Sequence, residues 1–136
     1  AQGESIPDQK DIKIFGHAIE ARITAEDAFN FTPNPGTIEQ FLAPGGPNIR
    51  LDSALYPGWF IPPWYDSLAA KIISFARTRE EAIRIHKQAL AETTISGIKT
   101  SIPLQQWIIE QPEFLEGKIS TQWLERALEK RTEQKS

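Results

Sequence analysis

The sequence predicts an α+β domain, mainly antiparallel β-sheet packed with about three helices. Three observations carry this expectation. Apolar residues alternate with polar ones at period two through the first half of the chain. A capped apolar stripe at helical spacing begins only at Thr78. Strands therefore come first and helices later, the order that favours an antiparallel sheet with segregated helices over alternating βα units.

Residues 1–11 are polar and read as a connecting segment, residues 12–128 as the domain, and 129–136 as a charged tail. From Ile12 to Ile23 the residues alternate, Ile12 and Ile14 leading into His17, Ile19, Ala21 and Ile23 of a strand, with Ala18, Glu20 and Arg22 on its opposite face. Thr32-Pro33-Asn34-Pro35-Gly36 reads as a loop, because two prolines remove donors and Gly36 permits positive φ. A short strand is expected over Thr37 to Leu42, then a breaker at Ala43-Pro44-Gly45-Gly46-Pro47, then an alternating strand from Ile49 to Tyr56. Pro57-Gly58 and Pro62-Pro63 bracket an aromatic patch of Trp59, Phe60, Trp64 and Tyr65. Leu68 to Phe75 is nearly all apolar, which suits a strand covered on both faces.

Thr78-Arg79-Glu80-Glu81 is a capping-box pattern, and Ala82, Ile83, Ile85, Ala89 and Leu90 follow it as a helical stripe. Thr93 to Thr100 reads as a short strand interrupted by Gly97. Ser101 can cap a second helix that carries Pro103 in its first turn and runs to Gln111, where Pro112 stops it. A last helix places Trp123, Leu124, Ala127 and Leu128 on one face.

Composition excludes several functions. With 15 basic and 18 acidic residues the net charge is -3, without the clustered basic excess that a nucleic-acid partner requires. The absence of cysteine excludes disulfides, thiolate nucleophiles and cysteine zinc sites. No apolar run approaches the ~20 residues that span a bilayer, so no membrane association is expected, and a cytoplasmic setting fits. A chain with no methionine that opens in polar sequence reads as a piece of a longer protein. Gly45-Gly46 lacks the Lys-Ser or Lys-Thr of a phosphate loop, no glycine-flanked serine marks a nucleophile, and His17 and His86 lack metal-ligand spacing, so no metal site is expected.

The side chains left as candidates each admit two readings. Glu20 and Arg22 share a face; a guanidinium offers a fixed fork of donors to a planar oxyanion, or simply makes a cross-strand ion pair. Arg50 and Asp52 are a surface pair or part of an association surface. The aromatic patch is a hydrophobic plug over the sheet, or a partner surface anchored by Asp66. Lys71 lays its stem on the core and lets its ammonium reach water. Thr121 and Gln122 either hydrogen-bond a ligand or act as an N-cap pair.

Five stretches, in order and at fitting distances, resemble the C-terminal domain of biotin carboxylases. They are Gly16-His17-Ala18-Ile19-Glu20-Ala21-Arg22-Ile23-Thr24-Ala25-Glu26-Asp27, Ala43-Pro44-Gly45-Gly46, Ile61-Pro62-Pro63-Trp64-Tyr65-Asp66-Ser67, Thr78-Arg79-Glu80-Glu81-Ala82 and Gly97-Ile98-Lys99-Thr100. The resemblance covers about residues 10–128. It implies an enzyme that uses ATP and magnesium (or manganese) to activate bicarbonate and carboxylates biotin held on a biotin carboxyl carrier protein. The nucleotide and metal would be held by N-terminal and ATP-grasp domains preceding this one, so that the chain alone is expected to be inactive and to bind no cofactor.

The resemblance further implies that Arg22 is catalytic, facing biotin's ureido oxygen. Arg50, Asp66 and the position of Pro47 would lie at or near a homodimer interface, and Thr121 and Gln122 would border the adenine pocket. Pro47-Asn48 stands where many bacterial members carry Phe-Gly, which removes an aromatic from that contact, and Thr24 replaces a common asparagine. Pro62-Pro63 before Trp64-Tyr65-Asp66-Ser67 looks like the acetyl-CoA carboxylase branch, and hence fatty acid biosynthesis. Two rival readings remain: a non-catalytic association module, and the closing domain of another ATP-grasp ligase such as one of purine synthesis.

Overall fold

The computed structural model describes Gly3 and residues 5–133. Its main sheet has three antiparallel strands in the order β1 (His17–Thr24), β6 (Leu68–Ala76), β4 (Ile49–Ser53). Two small two-stranded sheets pair β2 (Gly36–Thr37) with β5 (Phe60–Ile61) and β3 (Gln40–Leu42) with β7 (Thr94–Ser96). Helix α1 (Arg79–Glu92) lies across one face of the main sheet, followed by α2 (Ile102–Ile108), α3 (Pro112–Leu115) and α4 (Trp123–Glu133). This is the expected α+β architecture.

Alternation decides which side chains enter the core. In β1, Ala21 and Ile23 are buried while Glu20 and Arg22 are exposed. In β6, Ala70, Ile72 and Ser74 share the buried face and meet Ile83, Ala89 and Leu90 of α1. Fully burying a side chain such as Ile23, Ile72 or Leu90 stabilises the fold by roughly 1.5–3 kcal/mol each. A second cluster of Ala25, Ile38, Ile61 and Ala69 closes the far end under β2 and β5. Thr78 caps α1, its hydroxyl accepting from the Glu81 amide at 3.2 Å.

Several boundaries differ from the sequence expectation. Ile12 and Ile14 lie outside β1, one residue out of phase with its inward-facing Ile19, Ala21 and Ile23, and both are exposed, because no partner strand reaches them. The segment expected as one strand over 37–42 divides into β2 and β3, which pair with different partners. β4 stops at Ser53, whose hydroxyl takes the Leu55 amide and bends the chain. β6 is not covered on both faces throughout: on the second face Ala69 is buried, but Lys71 and Ile73 are half-buried and Phe75 is exposed. Pro112 starts the short α3 instead of only ending α2. The last helix runs through to Glu133, so the charged stretch from Glu129 is helical that far, while residues 134–136 of the expected tail lie outside the described residues. Of the expected connecting segment, residues 1, 2 and 4 also lie outside them, and Gln9–Asp11 forms a 3-10 turn. No helix among the described residues is long and apolar enough to cross a membrane.

Gly36 needs its small size more than positive φ, since a Cβ there would sit 2.9 Å from Ile98 Cγ2. Gly97 needs both: its φ is +92°, and a Cβ would overlap the Thr37 carbonyl oxygen. Gly97→Ala is therefore expected to destabilise by about 2–4 kcal/mol, read as a lower urea midpoint at unchanged m-value.

Between sheet and helix, Ser74 Oγ and His86 Nδ1 lie 2.9 Å apart with both residues fully buried. Burial pushes the His86 pKa down to about 4 from its ordinary 6.5. The unfolded chain then binds a proton that the folded chain refuses. Stability is accordingly complete above about pH 6.5 and declines as the pH falls toward 4, by about 3 kcal/mol in all. Urea midpoints measured across that window should fall for the parent chain and change less for His86→Gln.

Candidate functional site

Because Ala21 and Ile23 must point inward, Arg22 between them must project from the outer face of the sheet. The register sets Arg22 opposite Lys71 and Lys71 opposite Asp52, while the next row holds Glu20, Ile73 and Arg50. Side chains of like charge directly across a strand pair repel, so Arg22 beside Lys71 is a local cost that the surrounding carboxylates offset.

Arg22 leaves half of its side chain exposed, and its Nη2 lies 3.7 Å from Asp66 Oδ2. The partner is thus Asp66 from the loop before β6, and not a residue of a facing strand as the cross-strand reading had it. Asp66 is itself oriented, since its Oδ1 accepts from the Leu68 amide at 2.8 Å. At 3.7 Å the pair is an electrostatic contact longer than a hydrogen bond, which leaves the guanidinium donors available.

The backbone beneath Arg22 is held tightly. Its carbonyl accepts from Ser101 Oγ at 3.2 Å and from Gln105 Nε2 at 3.5 Å. The Thr24 amide donates to Ser101 Oγ, and the Ser101 amide donates to the Thr24 carbonyl. Ser101 occupies the N-cap position of α2 but gives its hydroxyl to β1, so it does not cap the helix as the sequence suggested. The effect is to fix the strand end that carries Arg22 to the helical layer.

Arg50 Nε donates to Asp52 Oδ1 at 2.9 Å, so the two side chains form an exposed surface pair. That bond holds the Asp52 carboxyl below its usual range and raises Arg50. A hollow of about 450 Å3 opens beside these groups, lined among others by Asp52, Lys71, Asp66, Trp59 and Tyr65. The expected hydrophobic plug is not formed: Trp64 is 78% and Tyr65 83% exposed, and of the patch only Ile61 is buried. Two prolines and a turn carry those rings past the sheet edge and away from its core.

Pro47 is exposed in the turn before β4 and precedes Asn48 at φ 66°. Thr121 and Gln122 are exposed in the turn before α4, and among the described residues neither side chain makes a capping hydrogen bond. Ser120 instead accepts from Arg126 Nη2 at 3.1 Å. The structure therefore brings Arg22, Asp66 and Arg50 to one face. Thr121 and Gln122 are not among them; one link to Arg22 runs through α2, which bonds the Arg22 carbonyl and stacks Trp107 on Trp123. Among the described residues no group of three His, Asp or Glu side chains could hold a metal ion. Lys71 was not recognisable from the sequence as a neighbour of Arg22, because only the strand register places it there.

The family model for the biotin carboxylase C-terminal domain matches residues 20–126. Biotin carboxylase from Haemophilus influenzae is 48% identical over 120 residues, covering 88% of this chain and 27% of that protein. Biotin carboxylase 1 from Bacillus subtilis is 48% identical over 118 residues, 86% of this chain and 26% of that one. Among solved structures, the biotin carboxylase domain dimer of Hydrogenobacter thermophilus 2-oxoglutarate carboxylase, in complex with MgADP, ADP and bicarbonate, superposes with a TM-score of 0.86 at 44% identity. It covers 91% of this chain and 28% of that one. The chain thus spans about a quarter of the length of the relatives it matches.

Since both members of the Arg22–Asp66 pair are largely in water, the pair should contribute little to folding. Asp66→Asn, which keeps the acceptor for the Leu68 amide, is expected to change stability by less than about 1 kcal/mol in thermal unfolding.

Proposed function

Because the chain belongs to the biotin carboxylase C-terminal domain family, we propose that it completes a site where carrier-bound biotin is carboxylated with ATP and bicarbonate. The observation that carries this reading is Arg22: a half-exposed guanidinium on a strand whose backbone is pinned at its own carbonyl and at the Thr24 amide, aimed away from its own core. Carboxyl transfer to a ring nitrogen requires that nitrogen to lose its proton, and negative charge then grows on the ureido oxygen. A preorganised guanidinium stabilises that charge without reorganising during the reaction. The loose contact to Asp66 orients the side chain and leaves donors for the substrate.

The donor set fits biotin's oxygen and does not fit magnesium, for which no cluster of acidic ligands converges among the described residues. The metal and the nucleotide phosphates are assigned in this reading to N-terminal and ATP-grasp domains of a complete enzyme, joined to this one through residues 1–11, with Thr121 and Gln122 bordering the adenine. Arg50, Asp66 and Pro47, all exposed, are assigned to contacts between copies, and the dimeric assembly named for the 2-oxoglutarate carboxylase domain supports that choice. We favour acetyl-CoA as the final acceptor and fatty acid biosynthesis as the setting, on the Pro62-Pro63-Trp64-Tyr65-Asp66-Ser67 stretch. The family match removes the reading as a purine-type ligase domain.

In a complete biotin carboxylase carrying this domain, Arg22→Ala should lower biotin carboxylation by about 10²- to 10³-fold while the melting temperature stays near that of the parent. The 136-residue chain alone should cleave no ATP in a biotin-dependent manner. A rate unchanged by Arg22→Ala, together with loss of self-association on Arg50→Glu, would support the association-module reading instead.

A further inference from the structure

Helix α4 buries none of its residues, yet it follows directly on Thr121 and Gln122. Its apolar stripe of Trp123, Leu124, Ala127 and Leu128 is only half-buried. Two further contacts fix where it lies, and both use Trp107 of α2. At the start of α4, the Trp123 indole stacks on Trp107 with ring centres 6.4 Å apart and planes 17° from parallel. Farther along, the Arg131 guanidinium lies 3.6 Å from the Phe29 ring centre and 5.7 Å from that of Trp107. Trp123 and Arg131 are a little over two turns apart, roughly 12 Å along the helix axis. Two fixed points define a line, so the pair sets both the place and the direction of α4.

Beside the two points lies a hollow of about 370 Å3, lined by Trp107, Gln111, Trp123, Ala127 and Arg131 among others. Phe29 is equally anchored on its own side. The Asp27 carboxylate accepts from the Phe29 and Asn30 amides and pairs with Lys99 Nζ at 2.9 Å. These bonds hold the Asp27 carboxyl below its usual range. The loop that supports Arg131 is therefore continuous with β1, the strand of Arg22.

We propose that Arg131, held between Phe29 and Trp107, is a positioning residue for nucleotide binding: it fixes α4 and thereby the turn bearing Thr121 and Gln122. This rests on the reading that the turn borders an adenine pocket. A cation over an aromatic face is attracted by the ring quadrupole, and Arg adds planar stacking that Lys lacks. Removing the charge should let α4 swing about the remaining Trp107–Trp123 contact and blur the position of the turn.

The test uses a complete biotin carboxylase carrying this domain, with ADP affinity measured by isothermal titration calorimetry beside steady-state kinetics. Arg131→Met should weaken ADP binding and raise KM for ATP by about five- to tenfold, with kcat and KM for biotin within about twofold of the parent. Arg131→Lys should recover part of the loss. Trp107→Ala, which removes the stacking partner of Trp123 and one of the two rings beside Arg131, should also weaken ADP binding. Should Arg131→Met fail to fold, the Lys variant still decides, because it retains the charge and loses the fork.

ADP affinity unchanged in both Arg131 variants would overturn the proposal, as would an equal fall in every kinetic parameter accompanied by a lower melting temperature. Thr121→Trp separates this from the underlying reading. If it blocks ADP while the Arg131 variants bind normally, the clamp is wrong and the adenine border stands. If it leaves ADP binding intact, the border itself is wrong.

Discussion

The structure depends on a division of labour between the two faces of one three-stranded sheet. One face of β1 and β6 is apolar and is buried under α1. The other has no helix over it among the described residues and carries Arg22, Lys71, Glu20, Arg50 and Asp52. Because side chains alternate strictly along a strand, the core itself dictates where the charges go. Ala21 and Ile23 cannot leave the core without exposing it, and Arg22 has no choice but to point outward. A slip of one residue would bury the guanidinium at a cost far above anything the sheet could recover.

The outer face of the sheet is charged mainly on its flanking strands β1 and β4, while the central strand β6 contributes only Lys71 to it. The charges of this face are largely matched nearby: Arg50 to Asp52, and Arg22 loosely to Asp66. Neither pair is buried, so neither contributes much to stability. The exposed rings of Trp64 and Tyr65 lie on the loop that supplies Asp66, so that the charged and aromatic features converge on one region. Exposed rings and charges gathered in one region are what a surface that meets another protein surface presents.

The helical layer adds precision. α2 is bonded to β1 through Ser101 and Gln105, and α4 is held to α2 through Trp107. These links form a continuous chain from the strand of Arg22 to the turn of Thr121 and Gln122, built from hydrogen bonds and ring contacts between elements distant in sequence. Buried Ser74 and His86 join the sheet to α1 in the same manner. Polar groups placed at such junctions specify one packing arrangement, where apolar groups alone would tolerate several.

The sequence by itself determined the elements and the direction of their side chains. Period-two alternation in β1 and β4, the capped stripe of α1, and the loop-forming prolines and glycines act over a few residues, and short-range physics suffices to read them. It also determined that Arg22 lies opposite the core. Only the tertiary structure decided what stands beside Arg22. Lys71 comes from the strand register, Asp66 from a loop, and Ser101 from a helix start whose hydroxyl a local reading gives to its own helix. The same holds for the splitting of the segment after Gly36 into two strands and for the exposure of Ile12 and Ile14, which follow from which partner strands are within reach. Contacts between residues far apart in the chain depend on how all the elements settle together, and no window of sequence contains that information.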